Sequence, residues 1–256
     1  VGPKLLGWHD RTHLLEAGIS IAGNGARWTG LEPLEYDQGQ HDGIYDVLAV
    51  STAGALIRRD VFEELDGLDP NLTLFRDDVD FGWRARAAGH SVMVATGAVA
   101  FHAQASATER RVVEVDGAFL HRPLLLDRRN AAYVLLANSS WWILPWLAIQ
   151  ILGSAIARAI GYLIAKLPGY AADEILAVGS LIVRPGLIIA ARKVRKKQRF
   201  VSARVIAEFI PPRWSQVRLA SEGFVDAVRA KLFPENSQVP TSSVLDANED
   251  EDLLTP

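Results

Sequence analysis

From Ala131 to Ala157 the chain carries no charged residue, a run of 27 positions. A membrane-spanning helix needs about 20 apolar residues, and the helices of soluble domains average about 11–12 residues. The run therefore divides the chain: the residues ahead of it must build a core of their own, and those after it meet a membrane. Trp141, Trp142 and Trp146 mark an interface level and shift the expected embedded part toward Ile143–Ile164. Gly153, Ala157 and Gly161 recur every four residues, which predicts a small-residue face for close helix contact. Arg158 would cost ~3 kcal/mol at mid-bilayer unless paired or snorkelling, and Asp173 or Glu174, after the Pro168-Gly169 turn, are its candidate partners. Ile175–Ala191 is a second apolar run, interrupted by Arg184-Pro185; it reads equally as a re-entrant or interfacial helix and as a return crossing.

Charge is segregated although the net charge is only −3. Six of the eight residues Arg192–Arg199 are basic. Beside apolar helices this predicts a patch for anionic membrane lipids, with nucleic acid as the runner-up and a solvated helix face as the plain alternative. For the chain as a whole no nucleic-acid partner is expected. Arg110, Arg111, Arg122, Arg128 and Arg129 lie just ahead of the apolar run, which places that end on the cytoplasmic side of a cell membrane. Val201–Phe233 reads as amphipathic helix, with Phe209, Trp214, Leu219, Phe224, Val228 and Leu232 as membrane-surface or packing residues and Pro211-Pro212 as a break. Residues 234–256 are acidic and poor in large apolar side chains, as a disordered tail is. With no cysteine, disulfides and thiolate metal sites are excluded.

Ahead of the apolar run, Gly23-Asn24-Gly25 predicts a hairpin turn. The Asp37–Gly43 loop is polar and flanked by glycine; Gln40, His41 and Asp42 are candidate donor or acceptor contacts, with a surface turn as the alternative. Val47–Arg58 reads as an apolar strand with Ser51, Thr52, Ala53 and Gly54 in its middle. Small residues there admit either a ligand close to the backbone or tight packing.

Three carboxylates then fall within four residues: Asp77, Asp78 and Asp80. They stand where a helix would start, ahead of a helix-permissive stretch that stops at Gly89. A carboxylate at a helix N-terminus is favoured in its ionised form, the form a general base needs. Two short strands, Ser91–Ala95 and Ala98–Phe101, are expected around a Thr96-Gly97 turn, leaving His102 at a strand end. A neutral imidazole near carboxylates suits Mn²⁺ or Mg²⁺. Trp83 reads as packing, with acceptor stacking as the competing role.

The residues Gly54, Arg58-Arg59, Phe62, Asp66-Gly67-Leu68-Asp69, Asp77-Asp78-Val79-Asp80, Gly89-His90 and His102 succeed one another in a recognisable order. The block resembles the acceptor half of a family-2, A-type-fold inverting glycosyltransferase, and its spacing from Asp78 to His102 is similar to that of actinobacterial galactofuranosyl- and rhamnosyl-type enzymes. The resemblance implies an α/β fold, a partial A-type (Rossmann-like) domain without its nucleotide-binding half, followed by membrane-associated helices. It implies Asp78 as base with Asp77 beside it, Asp80 as an acceptor-orienting or supporting group, the Thr52–Gly54 strand under the donor sugar, and His102 as ligand of a divalent cation on the donor diphosphate. It also implies a nucleotide-sugar donor and a polyprenyl-linked or envelope glycan acceptor. The nucleotide-binding half and its Asp-x-Asp motif would precede Val1, so a fragment inactive alone is expected. The layout read this way is 1–125 catalytic half, 126–191 membrane helices, 192–233 basic and amphipathic helices, and 234–256 tail. Two rival readings remain: a non-catalytic membrane anchor or assembly module with a degenerate transferase-like half, and a metal-dependent phosphotransferase using the acid cluster directly.

Overall fold

The computed structural model describes residues 1–32, 34–103 and 122–211. The expectations for Arg110, Arg111, Trp214, Leu219, Phe224, Val228, Leu232 and the acidic tail lie outside them.

A mixed four-stranded sheet forms the first half. Its strands are β1 (Gly2–Gly7), β2 (Leu14–Glu16), β5 (Ile44–Asp46) and β6 (Met93–His102), in the spatial order β2-β1-β6-β5. The central pair β1–β6 is parallel, and β2 and β5 flank it antiparallel. The Gly-Asn-Gly turn makes the expected hairpin, joining β3 (Ser20–Ile21) to β4 (Arg27–Trp28). The loop 37–43 crosses the sheet from one edge to the other. It leaves the β2 edge, where His13 bridges Tyr36, and arrives at the β5 edge, where Ile44 pairs with Ala95.

Two strand expectations are corrected. β6 is one strand rather than two around a turn: Thr96 is buried and its hydroxyl exchanges hydrogen bonds with Gly43. The Thr96-Gly97 punctuation marks a bulge instead, since Gly2 pairs with Val94 but Lys4 pairs with Val99. The strand expected over Val47–Arg58 is not one. Pairing with β6 ends near Val47, and the chain turns at Ser51–Gly54 onto β1. A Cβ on Gly54 would lie 2.8 Å from Pro3 Cγ, so glycine here serves close packing.

Helix α1 (Arg59–Glu64) leads to α2 (Asp77–Ala87), which carries the acidic cluster. The residue capping α2 is Arg76, in the left-handed region at φ 68°, and Phe75 before it also has a positive φ of 63°. Each non-glycine residue in that region costs about 1–2 kcal/mol, so this turn needs support from outside. Helix α3 (Pro123–Asn138) supplies it. Asp127 accepts from Arg76 Nε at 2.8 Å, and Asn130 donates to the carbonyls of Leu74 and Phe75. On its other side α2 presses into the chain at Leu48-Ala49: a Cβ on Gly82 would meet Ala49 Cβ at 2.5 Å. Held on both sides, α2 has a set position over the sheet.

The charge-free run is broken at Ser139-Ser140. Ala131–Ala137 belongs to α3, whose Tyr133, Val134 and Leu135 share one core with Val79 and Trp83 of α2. Residues 125 and 126, on either side of the expected boundary, both lie within α3. Beyond the break, a 3-10 turn at Trp141–Ile143 enters α4 (Leu144–Ile164). Together, Trp141–Ile164 is the one stretch among the described residues long and apolar enough to cross a membrane. Most of it is exposed, including Trp142, Ile149, Ile160 and Ile164. Helices α5 (Pro168–Ile182) and α6 (Pro185–Gln198) meet at a 64° bend, the geometry of a broken span or re-entrant loop. The short α7 (Ala203–Ala207) comes last.

The buried face of α4 runs through Ile151, Ala155, Ala159 and Tyr162. The small-residue face is not the one in contact: Gly153 faces open space and Ala157 is exposed. Arg158 is paired as its position requires. Its guanidinium meets Glu174 at 2.9 Å, and Glu174, fully buried, also holds Arg128 at 2.9 Å.

Candidate active site

Asp77 and Asp78 occupy the first two positions of α2, at the positive end of its dipole. The β3–β4 hairpin brings Arg27 to them. Its Nη2 lies 2.9 Å from Asp78 Oδ2 and 2.8 Å from Glu16 Oε1. Asp78 is only 7 % exposed, and its Oδ1 accepts from the Val79 N–H at 2.7 Å. Asp77 is half-buried and accepts from the Thr52 hydroxyl at 3.4 Å. Thr52 sits on the exposed Ser51–Gly54 turn, which therefore borders the pair.

Sheet register adds His102. Glu16 pairs with Leu5, and His102 pairs with Gly7 two residues further along β1. Residues two apart on a strand share a face, so Glu16 and His102 stand on the same face, as does Leu5, against which Gly54 packs. The imidazole lies close enough to Glu16 to act on its charge.

One guanidinium thus binds two carboxylates, Asp78 and Glu16, with Asp77 next to Asp78. Burial works against the charge of Arg27, but Asp78 and Glu16 more than offset this and hold it above the ordinary arginine value. Burial pushes Glu16 above the usual carboxylate range; Arg27 pulls it back, and Asp78 adds to the rise. Asp77 is raised too, first by burial and then by the neighbouring charge of Asp78. Asp78 thus lies against the guanidinium, with the two raised carboxyl groups Glu16 and Asp77 on either side of it.

Other expected contacts lie elsewhere. Asp80 is fully buried two residues after Asp78, held by Arg84 at 2.7 Å, Arg195 at 2.6 Å and Asn138 at 2.8 Å. Its lone pairs are saturated by the protein, which leaves it no contact with an acceptor. Trp83 is 3 % exposed within the core and offers no stacking face. Asp42 binds Lys4 Nζ at 2.6 Å. Lys4 adjoins Leu5 and so points to the opposite face of the sheet from Glu16. Gln40 and His41 are tied to Glu35, just ahead of the loop, at 2.7 and 2.8 Å. These three residues brace the crossing loop, which is the surface-turn reading. Sequence reasoning missed Arg27 and Glu16: an arginine just after a Gly-Asn-Gly turn was the available signal, but nothing in the order of residues says that the hairpin folds over α2.

The resemblance places a divalent cation on His102. Among the described residues no three His, Asp or Glu side chains cluster as a metal site would need. The place where such an ion would join Glu16 and Asp78 is taken by the Arg27 guanidinium. The residues present do not make a metal site by themselves, and no step of the reaction is assigned to a metal.

Residues 8–114 match the family model described as glycosyltransferase like family 2. The matched stretch holds Glu16, Arg27, Thr52, Asp77, Asp78 and His102. It supports a family-2-type glycosyltransferase domain of α/β build, followed by a helical region. A glycosyltransferase takes a nucleotide-sugar donor and a glycan acceptor in general terms. No curated protein matches the chain.

Proposed function

We propose that this protein transfers a sugar with inversion from a nucleotide-sugar to a polyprenyl-linked or envelope glycan, at the cytoplasmic face of the cell membrane. The acceptor hydroxyl forms the new bond to the anomeric carbon as the bond to the nucleoside diphosphate breaks. Its proton passes to Asp78, which Arg27 holds and aims. Asp77 and the Thr52–Gly54 turn border the sugar, and His102 stands on the side of the leaving diphosphate. The membrane placement draws on the exposed apolar stretch Trp141–Ile164.

The observation that carries this reading is the convergence of Asp77, Asp78, Glu16, Arg27 and His102 at one end of the sheet, inside the stretch that matches the family. The test is Asp78→Asn in the full-length protein, assayed with labelled nucleotide-sugars. Transfer should fall ~10²–10⁴-fold with the melting temperature little changed. Undiminished transfer by a folded variant would remove Asp78 as the base.

A further inference from the structure

A second polar site lies among the helices. A cleft of ≈ 450 Å³ opens between the end of α3 and α6, and its lining contains no Asp or Glu. Arg192 and Arg199 form one wall. Each donates to carbonyls at the end of α3: Arg192 to Leu136 and Ser139, and Arg199 to Asn138. That much is helix capping and needs no ligand.

Three further cations are not explained in this way. Lys193 and Lys196 line the cleft, are exposed, and have no ion-pair or hydrogen-bond partner among the described residues. Arg195, also in the lining, is only 6 % exposed. Its Nη2 binds Asp69 and Asp80 and its guanidinium lies over the Tyr133 ring, 5.4 Å from the centroid, while its Nε and Nη1 have no hydrogen bond of good geometry. Arg195 therefore sets a fixed positive charge at the base of the cleft, beneath the two lysines. Ser139 and Ser140 also line the cleft, and Trp141 lines it where the candidate membrane stretch begins.

We propose that this cleft is a binding site for the phosphate group of a membrane lipid. Guanidinium and ammonium donors with hydroxyls beside them match phosphate oxygens, and Trp141 sets the cleft at head-group depth. The chain end of the lipid would then lie along exposed α4. Through Arg195 the bound phosphate reaches Asp80, two residues from Asp78 on the same helix. The proposal does not rest on the transferase reading, and its test uses no sugar donor.

The test titrates the full-length protein in detergent micelles with dioctanoyl phosphatidic acid, dioctanoyl phosphatidylcholine and inorganic phosphate, measuring heat of binding. Phosphatidic acid should bind and the other two should not. The double variant Lys193→Gln/Lys196→Gln should weaken binding roughly 25-fold, about fivefold per lysine at a lipid surface. Lys197→Gln, on the same helix but outside the lining, should leave it within about twofold. Equal affinity for phosphatidylcholine would overturn the proposal. Inorganic phosphate binding as tightly would make the source a free anion, not a lipid. A loss for Lys197→Gln as large as for the double variant would mean a diffuse basic surface and no cleft site.

Discussion

Asp78 and Asp80 sit two residues apart on one helix and live in opposite electrostatic regimes. Asp80 is enclosed by two guanidinium groups and an amide, contributed by α2, α3 and α6. Around Asp78 the ratio is inverted: Arg27 is shared with Glu16, and Asp77 adds a further carboxylate beside Asp78. A carboxylate with more donors than it has need of joins helices. A carboxylate that must share its one cation is left with lone pairs for a further donor. Glu174 repeats the first pattern at the helical end, where it pins Arg128 of α3 and Arg158 of α4. The negative surplus at one end of α2 is also answered by the positive surplus in the α6 cleft, and Asp80–Arg195 is the joint between them.

The contrast is broken most directly by exchanging the two acids for amides. Asp78→Asn gives the largest expected effect, a loss of transfer of ~10²–10⁴-fold, with folding kept. Asp80→Asn should do the reverse. It leaves Arg84 and Arg195 buried without their carboxylate, a defect that costs about 3–5 kcal/mol and would show as a large fall in melting temperature. Loss of transfer there should track unfolding: the fraction still folded should transfer at the normal rate. If Asp80→Asn instead stays folded and loses catalysis alone, the division of labour between the two acids is wrong.

Gly82→Ala sharpens the same comparison at smaller scale. The added methyl would sit 2.6 Å from the Leu48 carbonyl oxygen, so α2 must lift from the chain beneath it. Overpacking of this kind costs about 1–3 kcal/mol. It should also move Asp78 relative to Arg27, so transfer should fall by more than the unfolded fraction explains. Chemical denaturation alongside the transfer assay separates the two.

How much the sequence disclosed depends on the range of the forces involved. The Gly-Asn-Gly hairpin, the helix from Asp77 and the break at Gly89 are local, and they stand where the residues put them. The pairing of Arg158 was legible because a charge in an apolar helix demands a partner within a turn or two of the next helix. Arg27 beside Asp78 was not legible, since the 51 positions separating them say nothing of how the hairpin folds over α2. Nor was the assignment of Asp80, whose partners Asn138 and Arg195 lie 58 and 115 residues away. The 27-residue charge-free run misled about its own beginning for a related reason. Absence of charge suits both a membrane and a protein core, and α3 takes the second.

The smallest effect tests the crowding itself. Asp77 is raised because burial and Asp78 both disfavour its charge. For a group whose folded value exceeds its unfolded one, the stabilising contribution is complete below the unfolded value, about 4 for aspartate, and is lost as pH climbs through the folded value. At neutral pH the wild-type protein therefore carries an ionised Asp77 that the fold disfavours. Asp77→Asn removes that charge, so it should melt at a slightly higher temperature than wild type near neutral pH. The gap should close as pH falls toward the ordinary carboxylate range, where wild-type Asp77 is protonated too. This is the opposite sign from Asp80→Asn, which should destabilise at neutral pH. Melting curves of both variants across that range decide the matter: a gap for Asp77→Asn that is negative at neutral pH, or that does not shrink in acid, would mean that Asp77 is as well partnered as Asp80 and that no surplus charge waits at the end of α2.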